Sequence, residues 1–205
     1  MKKLKLAIII GLFSLCSSSF AKKGPPYIDD FFLGIGNLTE LVGHVQVDES
    51  GKTESFDFNP YFLTGMRLNL YETNFAFEPE FGLTLPHEGR DPNTKKWSFN
   101  LLAKIAYHYK FLALSLGTGF YWVNLSSDGG TKRLQNGDGY SDFPIPEGSS
   151  TSQNLLTTIG LRAHVTDTYS ANFDAHILNL TDELSRSWNY VLSINYHFGK
   201  IEFKL

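Results

Sequence analysis

Few side chains in this 205-residue chain stand where acid–base chemistry would need them. Asp174 and His176 are two residues apart, so an extended backbone points both to one face. A carboxylate beside an imidazole is the start of a general base. A hydrolase would add a nucleophile, and neither a His-x-Ser-Asn run nor a clear serine partner accompanies the pair. His108, His164 and His197 fall on faces shared with charged residues. A metal needs three or four ligands converging on one point, and their spacing alone does not supply that. Residues 136–142, NGDGYSD, superficially resemble a calcium loop, yet the EF-hand spacing and terminal glutamate are absent. Arg67, Glu78, Glu80, Lys104 and Arg162 read as structural charges. The sequence therefore predicts no catalytic residue, no metal and no cofactor.

Composition narrows the class. Aromatic residues number 30 (17 Phe, 10 Tyr, 3 Trp), too many for a disordered chain. The formal net charge of −3 offers no basic surface, which argues against nucleic acid as a partner. A single cysteine excludes a disulfide framework and a cysteine-based zinc site. No apolar run reaches the ~18–20 residues of a membrane-spanning helix.

The first residues read as an address. Lys2, Lys3 and Lys5 precede the apolar stretch 6–15, and Ser19 and Ala21 place small residues at a cleavage site. Residues 1–21 are thus expected to be a secretory signal peptide, and 22–205 one domain. Leu15 is a poor fit to the small residue that precedes a lipidated cysteine, which sets Cys16 aside. Cleavage would leave 15 Lys and Arg against 21 Asp and Glu, and no cysteine.

The rest of the chain alternates. Apolar and polar or small residues exchange places along 56–70, 75–86, 99–110, 112–123, 154–165, 169–179 and 188–198, with a less regular segment near 31–47. Period two means strands. Eight strands of about 11–15 residues exceed the usual 5–6 and match the ~9–11 that a tilted strand needs to cross a membrane. Tight turns at 71–74, 110–111 and 166–168 alternate with mostly longer polar connections at 49–55, 87–97, 127–153 and 181–186.

The apolar face carries too many Phe, Leu, Tyr and Trp to fit inside an eight-stranded ring, so it must point outward. The opposite face mixes small residues with charges of both signs, as a narrow plugged interior requires. Trp97, Trp122 and Trp188 fall toward the long-loop end. Tyr71, Phe75, Tyr107, Tyr109, Tyr169, Tyr196 and Phe198 fall toward the short-turn end. Two aromatic girdles are what a membrane barrel needs. Turn lengths set the register, so Arg67 should face Glu78, with Glu80 one step further, and Arg162 should face Asn172, diagonal to Asp174. Lys104, His108, His164, His176 and Glu40 extend this expected charge network.

With its signal peptide, eight alternating strands, girdles and the closing strand 190–198, YVLSINYHF, the chain resembles the small eight-stranded outer-membrane barrels of the OmpA and OmpX type over about 28–198. The likeness implies an all-β, antiparallel, up-and-down transmembrane barrel in the outer membrane of a Gram-negative bacterium, with a periplasmic N-terminus. The closing strand also resembles the signal read by outer-membrane assembly machinery, although here residues 199–205 follow Phe198, as a bulged continuation or a periplasmic tail.

The expected role is structural or surface-interactive: envelope integrity, adhesion or loop-mediated binding, by a monomer in contact with outer-membrane lipid and lipopolysaccharide. Loop 127–153, with an apolar FPIP tip at 143–146, is its foremost candidate element. Some barrels of this kind are lipid A deacylases or acyltransferases, which makes a lipid A-modifying enzyme around His176 the first alternative. A narrow, porin-like channel for small or hydrophobic solutes is the second, and a secreted ligand-binding barrel with its apolar face inward the last.

Overall fold

Nine strands account for most of the chain. They are β1 (Ile28–Gln46), β2 (Thr53–Asn69), β3 (Phe75–Thr84), β4 (His87–Glu88), β5 (Thr94–Tyr109), β6 (Leu112–Asn136), β7 (Gly139–His164), β8 (Tyr169–Leu178) and β9 (Ser187–His197). The computed structural model describes residues 28–46, 51–70, 73–89, 91 and 93–199. The signal peptide read in 1–21, Cys16, Tyr71 and the tail beyond Gly199 lie outside those residues.

Each long strand pairs antiparallel with its sequence neighbour, β3 pairs with β5, and β1 closes the ring on β9 from Phe32↔His197 to Glu40↔Asn189. Eight strands thus form a closed barrel, with β4 a two-residue extension on β5. Closure follows from the strand count and leaves no free edge within the ring.

At one end the connections are tight. Lys110, at φ 54°, turns the chain between β5 and β6. Thr166 Oγ1 accepts the backbone N–H groups of Thr168 and Tyr169 between β7 and β8. These turns fix register: Tyr109 faces Leu112, and Arg162 faces Asn172.

At the other end the structure corrects the sequence in one large respect. Residues 127–153 are not a loop. β6 and β7 run on as a paired ladder to Asn136↔Gly139, closed by Gly137 (φ 62°) and Asp138. The eight strands of the ring accordingly range from 10 to 26 residues rather than 11–15. β5 leaves β6 at Ser127 and β8 leaves β7 at Leu156, so the outer half of this hairpin has no third strand paired to it. Prolines 144 and 146 survive there because an edge strand has one side on which no N–H is needed.

Alternation decides what is buried. Leu33, Ile35, Phe58, Leu101, Leu114, Leu116, Leu192 and Ile194 are exposed on the outside of the ring, while Phe32, Leu38, Asn100, Lys104, Arg162 and Asn195 are enclosed. Large lumen side chains lie over residues without them: the Tyr61 ring over Gly82 and the Phe32 ring over Gly65. A narrow barrel fills its interior in this way. The interior is not polar throughout, as the sequence suggested. Phe32, Leu38, Tyr61, Leu63, Leu102, Tyr121, Leu156, Leu178 and Val191 form one buried apolar cluster within it.

Candidate functional site

The lumen is organised in layers. Its centre is a cluster of three carboxylates and three cations. Glu78 Oε1 accepts from Arg67 Nε at 3.1 Å and from Arg162 Nη1 at 3.0 Å. Glu80 meets Arg162 Nη2 at 3.3 Å and Lys104 Nζ at 2.6 Å. Lys104 Nζ also donates to Asp174 Oδ1 at 2.9 Å. Arg162 Nε donates to Asn172 Oδ1 at 2.8 Å, and its guanidinium lies 4.8 Å from the centre of the Phe32 ring. The six formal charges cancel. Ions taken out of water persist only when paired and hydrogen-bonded, and this cluster meets that demand.

Strands β2, β3, β5, β7 and β8 each supply a member. The structure brings Arg67, Glu78, Glu80, Lys104, Arg162 and Asp174 together. Arg162 reaches across the ring to Glu78 and Glu80, and Asp174, its diagonal neighbour, is taken by Lys104. His176 stands apart from the ion pairs. It is enclosed, faces Thr158 and Asn189 in register, and its Nδ1 has no hydrogen-bond partner among the described residues. Asp174 does not orient it as a base.

The apolar cluster, which includes Phe32, completes the filling of the lumen. Toward the hairpin end, Glu40 pairs with Lys96 and accepts from Tyr121 Oη at 3.0 Å, while Lys96 lies 3.5 Å from Asp57. Asn100 Nδ2 donates to Tyr61 Oη at 2.8 Å. Charged, apolar and polar groups together plug the barrel.

At the short-turn end a cavity of about 550 Å³ opens between Asp30, Arg67, His108, Lys110, His164 and His197. The imidazole centres of His108 and His164 are 6.2 Å apart, and those of His164 and His197 are 5.2 Å apart. Among the described residues, no group of His, Cys, Asp or Glu is arranged to hold a metal ion. One contact here is not legible in the sequence. Ser170 Oγ donates to His197 Nε2 at 2.8 Å, and His197 Nδ1 donates to Asp30. Alternation places Ser170 and His197 on the lumen face, and the β8–β9 register, which the longer 179–186 connection does not fix in advance, makes them diagonal neighbours. Asp30 comes from the irregular first strand, 140 positions away from Ser170 in the chain, and only ring closure brings it in.

On the outer surface, Phe99 stacks on Trp122 at 4.7 Å and Trp97 on Phe99 at 5.7 Å, toward the hairpin end. Trp188, beside Ile177 in register, lies near the same end. Around the other end, Phe75 packs on Tyr107 (5.0 Å), Tyr169 on Tyr196 (5.4 Å) and Tyr196 on Phe198 (4.9 Å). Tyr109 is exposed beside them.

No protein-family model matches the chain, and no curated protein matches it. Solved structures do. Ail, the attachment invasion locus protein of Yersinia pestis, in complex with the heparin analogue sucrose octasulfate, matches with a TM-score of 0.52 at 11% identity over 85% of this chain and 100% of that one. The outer-membrane protein OprG of Pseudomonas aeruginosa matches with a TM-score of 0.52 at 12% identity, over 86% and 98%. The fold is that of the small eight-stranded outer-membrane barrels, at an identity where fold alone is shared.

Proposed function

We propose that this chain is a monomeric outer-membrane barrel of a Gram-negative bacterium, exported by a cleaved signal peptide at 1–21 and inserted by the outer-membrane assembly machinery. Its work is structural and surface-interactive, and it is neither a channel nor a lipid A-modifying enzyme. The apolar outer face between two aromatic belts supports residence in lipid, with lipopolysaccharide around the hairpin end. The filled lumen speaks against conduction. The enclosure of His176 speaks against lipid A chemistry at that rim.

The observation that carries the surface role is the β6–β7 hairpin. Residues 128–136 of β6 continue past the last pairing with β5, roughly 30 Å at the ~3.3 Å rise of a strand. Its base is held to the β4–β5 connection by Lys132 Nζ to Asp91 Oδ1 at 2.7 Å and Asn93 Nδ2 to Gly129 O at 3.3 Å. Its outer part exposes Tyr140 and Phe143. Ail carries attachment in its name, and its structure holds a heparin analogue. In this chain the stretch 128–147 has Lys132 and Arg133 against Asp128, Asp138, Asp142 and Glu147, so a sulfated polyanion is a poor fit and a neutral or cationic protein surface a better one.

Trypsin added to intact cells tests the display. Cleavage after Arg133, with the barrel left in the membrane, is expected. Cleavage only after the outer membrane is permeabilised would overturn the outward hairpin. In planar bilayers the protein should carry no ion current, and discrete conductance steps would replace this reading with a channel.

A further inference from the structure

Ser170, His197 and Asp30 form an unbroken hydrogen-bonded relay, of which Asp30 and His197 stand in the wall of the short-turn cavity and Ser170 lies enclosed behind them. The serine hydroxyl donates to His197 Nε2 at 2.8 Å, and His197 Nδ1–H donates to the Asp30 carboxylate. Asp30 is itself fixed, its Oδ1 accepting the backbone N–H of Gly199 at 3.2 Å. All three residues are at least nine-tenths buried. Acyl-transfer nucleophiles are recognised by this arrangement of roles: a hydroxyl, a base within reach of it, and a carboxylate that holds the base in one tautomer.

A second feature stands beside the relay. Asn195 lies across from Ser170 in the β8–β9 register and is fully enclosed. Its Oδ1 faces Gly34 and accepts from Ser193 Oγ at 3.4 Å, while its Nδ2 has no partner among the described residues. A buried amide donor left unpaired is costly in a purely structural network. Beside a nucleophile it is a donor held ready for developing negative charge. The cavity reaches the relay at Asp30 and His197, so Ser170 is approached past the His197 ring.

We infer that Ser170, His197 and Asp30 constitute a nucleophilic site for small carboxylic esters that enter from the short-turn, periplasmic end. Ser170 Oγ attacks the ester carbonyl as its proton passes to His197 Nε2. The tetrahedral oxyanion is met by Asn195 Nδ2. Collapse breaks the acyl–oxygen bond, and the leaving alcohol takes the proton from His197. Water, deprotonated by His197, then releases the acid from the acylated Ser170. Ser170 is deeply buried, and the Phe32 ring lies 5.7 Å from that of His197, so the site takes short acyl groups and excludes long chains. This goes beyond the surface role, concerns the opposite end of the barrel, and stands or falls separately from it.

The test uses the folded, full-length barrel in detergent, treated with a short alkyl fluorophosphonate and read by mass spectrometry of the peptide containing Ser170. An adduct on Ser170 is expected in the folded barrel, and none in protein unfolded by heat before the reagent is added. Hydrolysis of p-nitrophenyl acetate should fall about 100-fold in Ser170→Ala and in His197→Gln. The butyrate ester should be cleaved faster than the dodecanoate. Each variant must keep its cold mobility in SDS, and the adduct on the unmodified protein decides if one does not. A folded barrel without adduct, or Ser170→Ala hydrolysing as fast as the parent, would reduce the relay to a lumen plug and overturn the proposal.

Discussion

Two arginines on one hairpin make the comparison that explains this molecule. Arg162 sits on β7 inside the ring, between Glu78 and Glu80, with both partners enclosed. Arg133 sits on β6 beyond the ring, 4.0 Å from Asp142, with both side chains more than half exposed. It also lies 5.0 Å from the Tyr140 ring. The residue type and the opposing charge are the same. Water screens the outer pair and holds either partner nearly as well alone. No water replaces a partner lost from the inner pair, so there the cost falls on whatever charge is left unpaired.

Substitutions break the comparison most sharply at its inner member. Arg162→Ala leaves Glu78 and Glu80 short of a cation and should cost about 3–5 kcal/mol, read as a lower urea midpoint of the barrel refolded in detergent. Arg67→Ala should cost less, roughly 1–3 kcal/mol, because Glu78 keeps Arg162. Arg133→Ala should shift the same midpoint by no more than about 1 kcal/mol. Should all three variants share one midpoint, burial would not be what gives the lumen pairs their worth. Excising 130–145 and joining the strands by a two-residue turn should leave the midpoint near that of the parent and remove the trypsin site. A large loss of stability would make the hairpin part of the barrel's foundation. The smallest signal is optical. Fluorescence of Trp122 and Trp188, each kept as a lone tryptophan, should be quenched by lipid-attached quenchers near the headgroups, and quenching by aqueous iodide alone would place them outside a girdle.

What was legible in the sequence follows the same line. Period two reports a side chain's face, and a short turn reports its partner on the next strand. That is why Arg67 could be set against Glu78, and Arg162 against Asn172, from turn lengths alone. Neither signal reports which strands meet across the ring. The contacts of Arg162 with Glu80 and of Lys104 with Asp174 depend on closure and stagger, which no local pattern encodes. The relay through Asp30 escaped for the same reason. The hairpin escaped for another: Gly129, Gly130, Gly148, Pro144 and Pro146 are turn signals in most settings. Here Gly129, Gly130 and Gly148 hold φ of 78°, 138° and 135° inside a two-stranded ladder with free outer edges. Tyr61 and Leu63 put apolar bulk on a face otherwise read as polar, so the lumen's apolar cluster was not anticipated.

One orientation underlies the whole barrel, apolar side chains outward into lipid and charges inward. The most direct test is the mobility of the membrane fraction in SDS gels, unboiled against boiled. A closed barrel of this kind should resist cold SDS and change its apparent mass on heating, and the protein should be found in the outer-membrane fraction. A single band at one mobility, recovered in the soluble fraction, would mean that the faces are reversed and that the apolar side encloses a ligand.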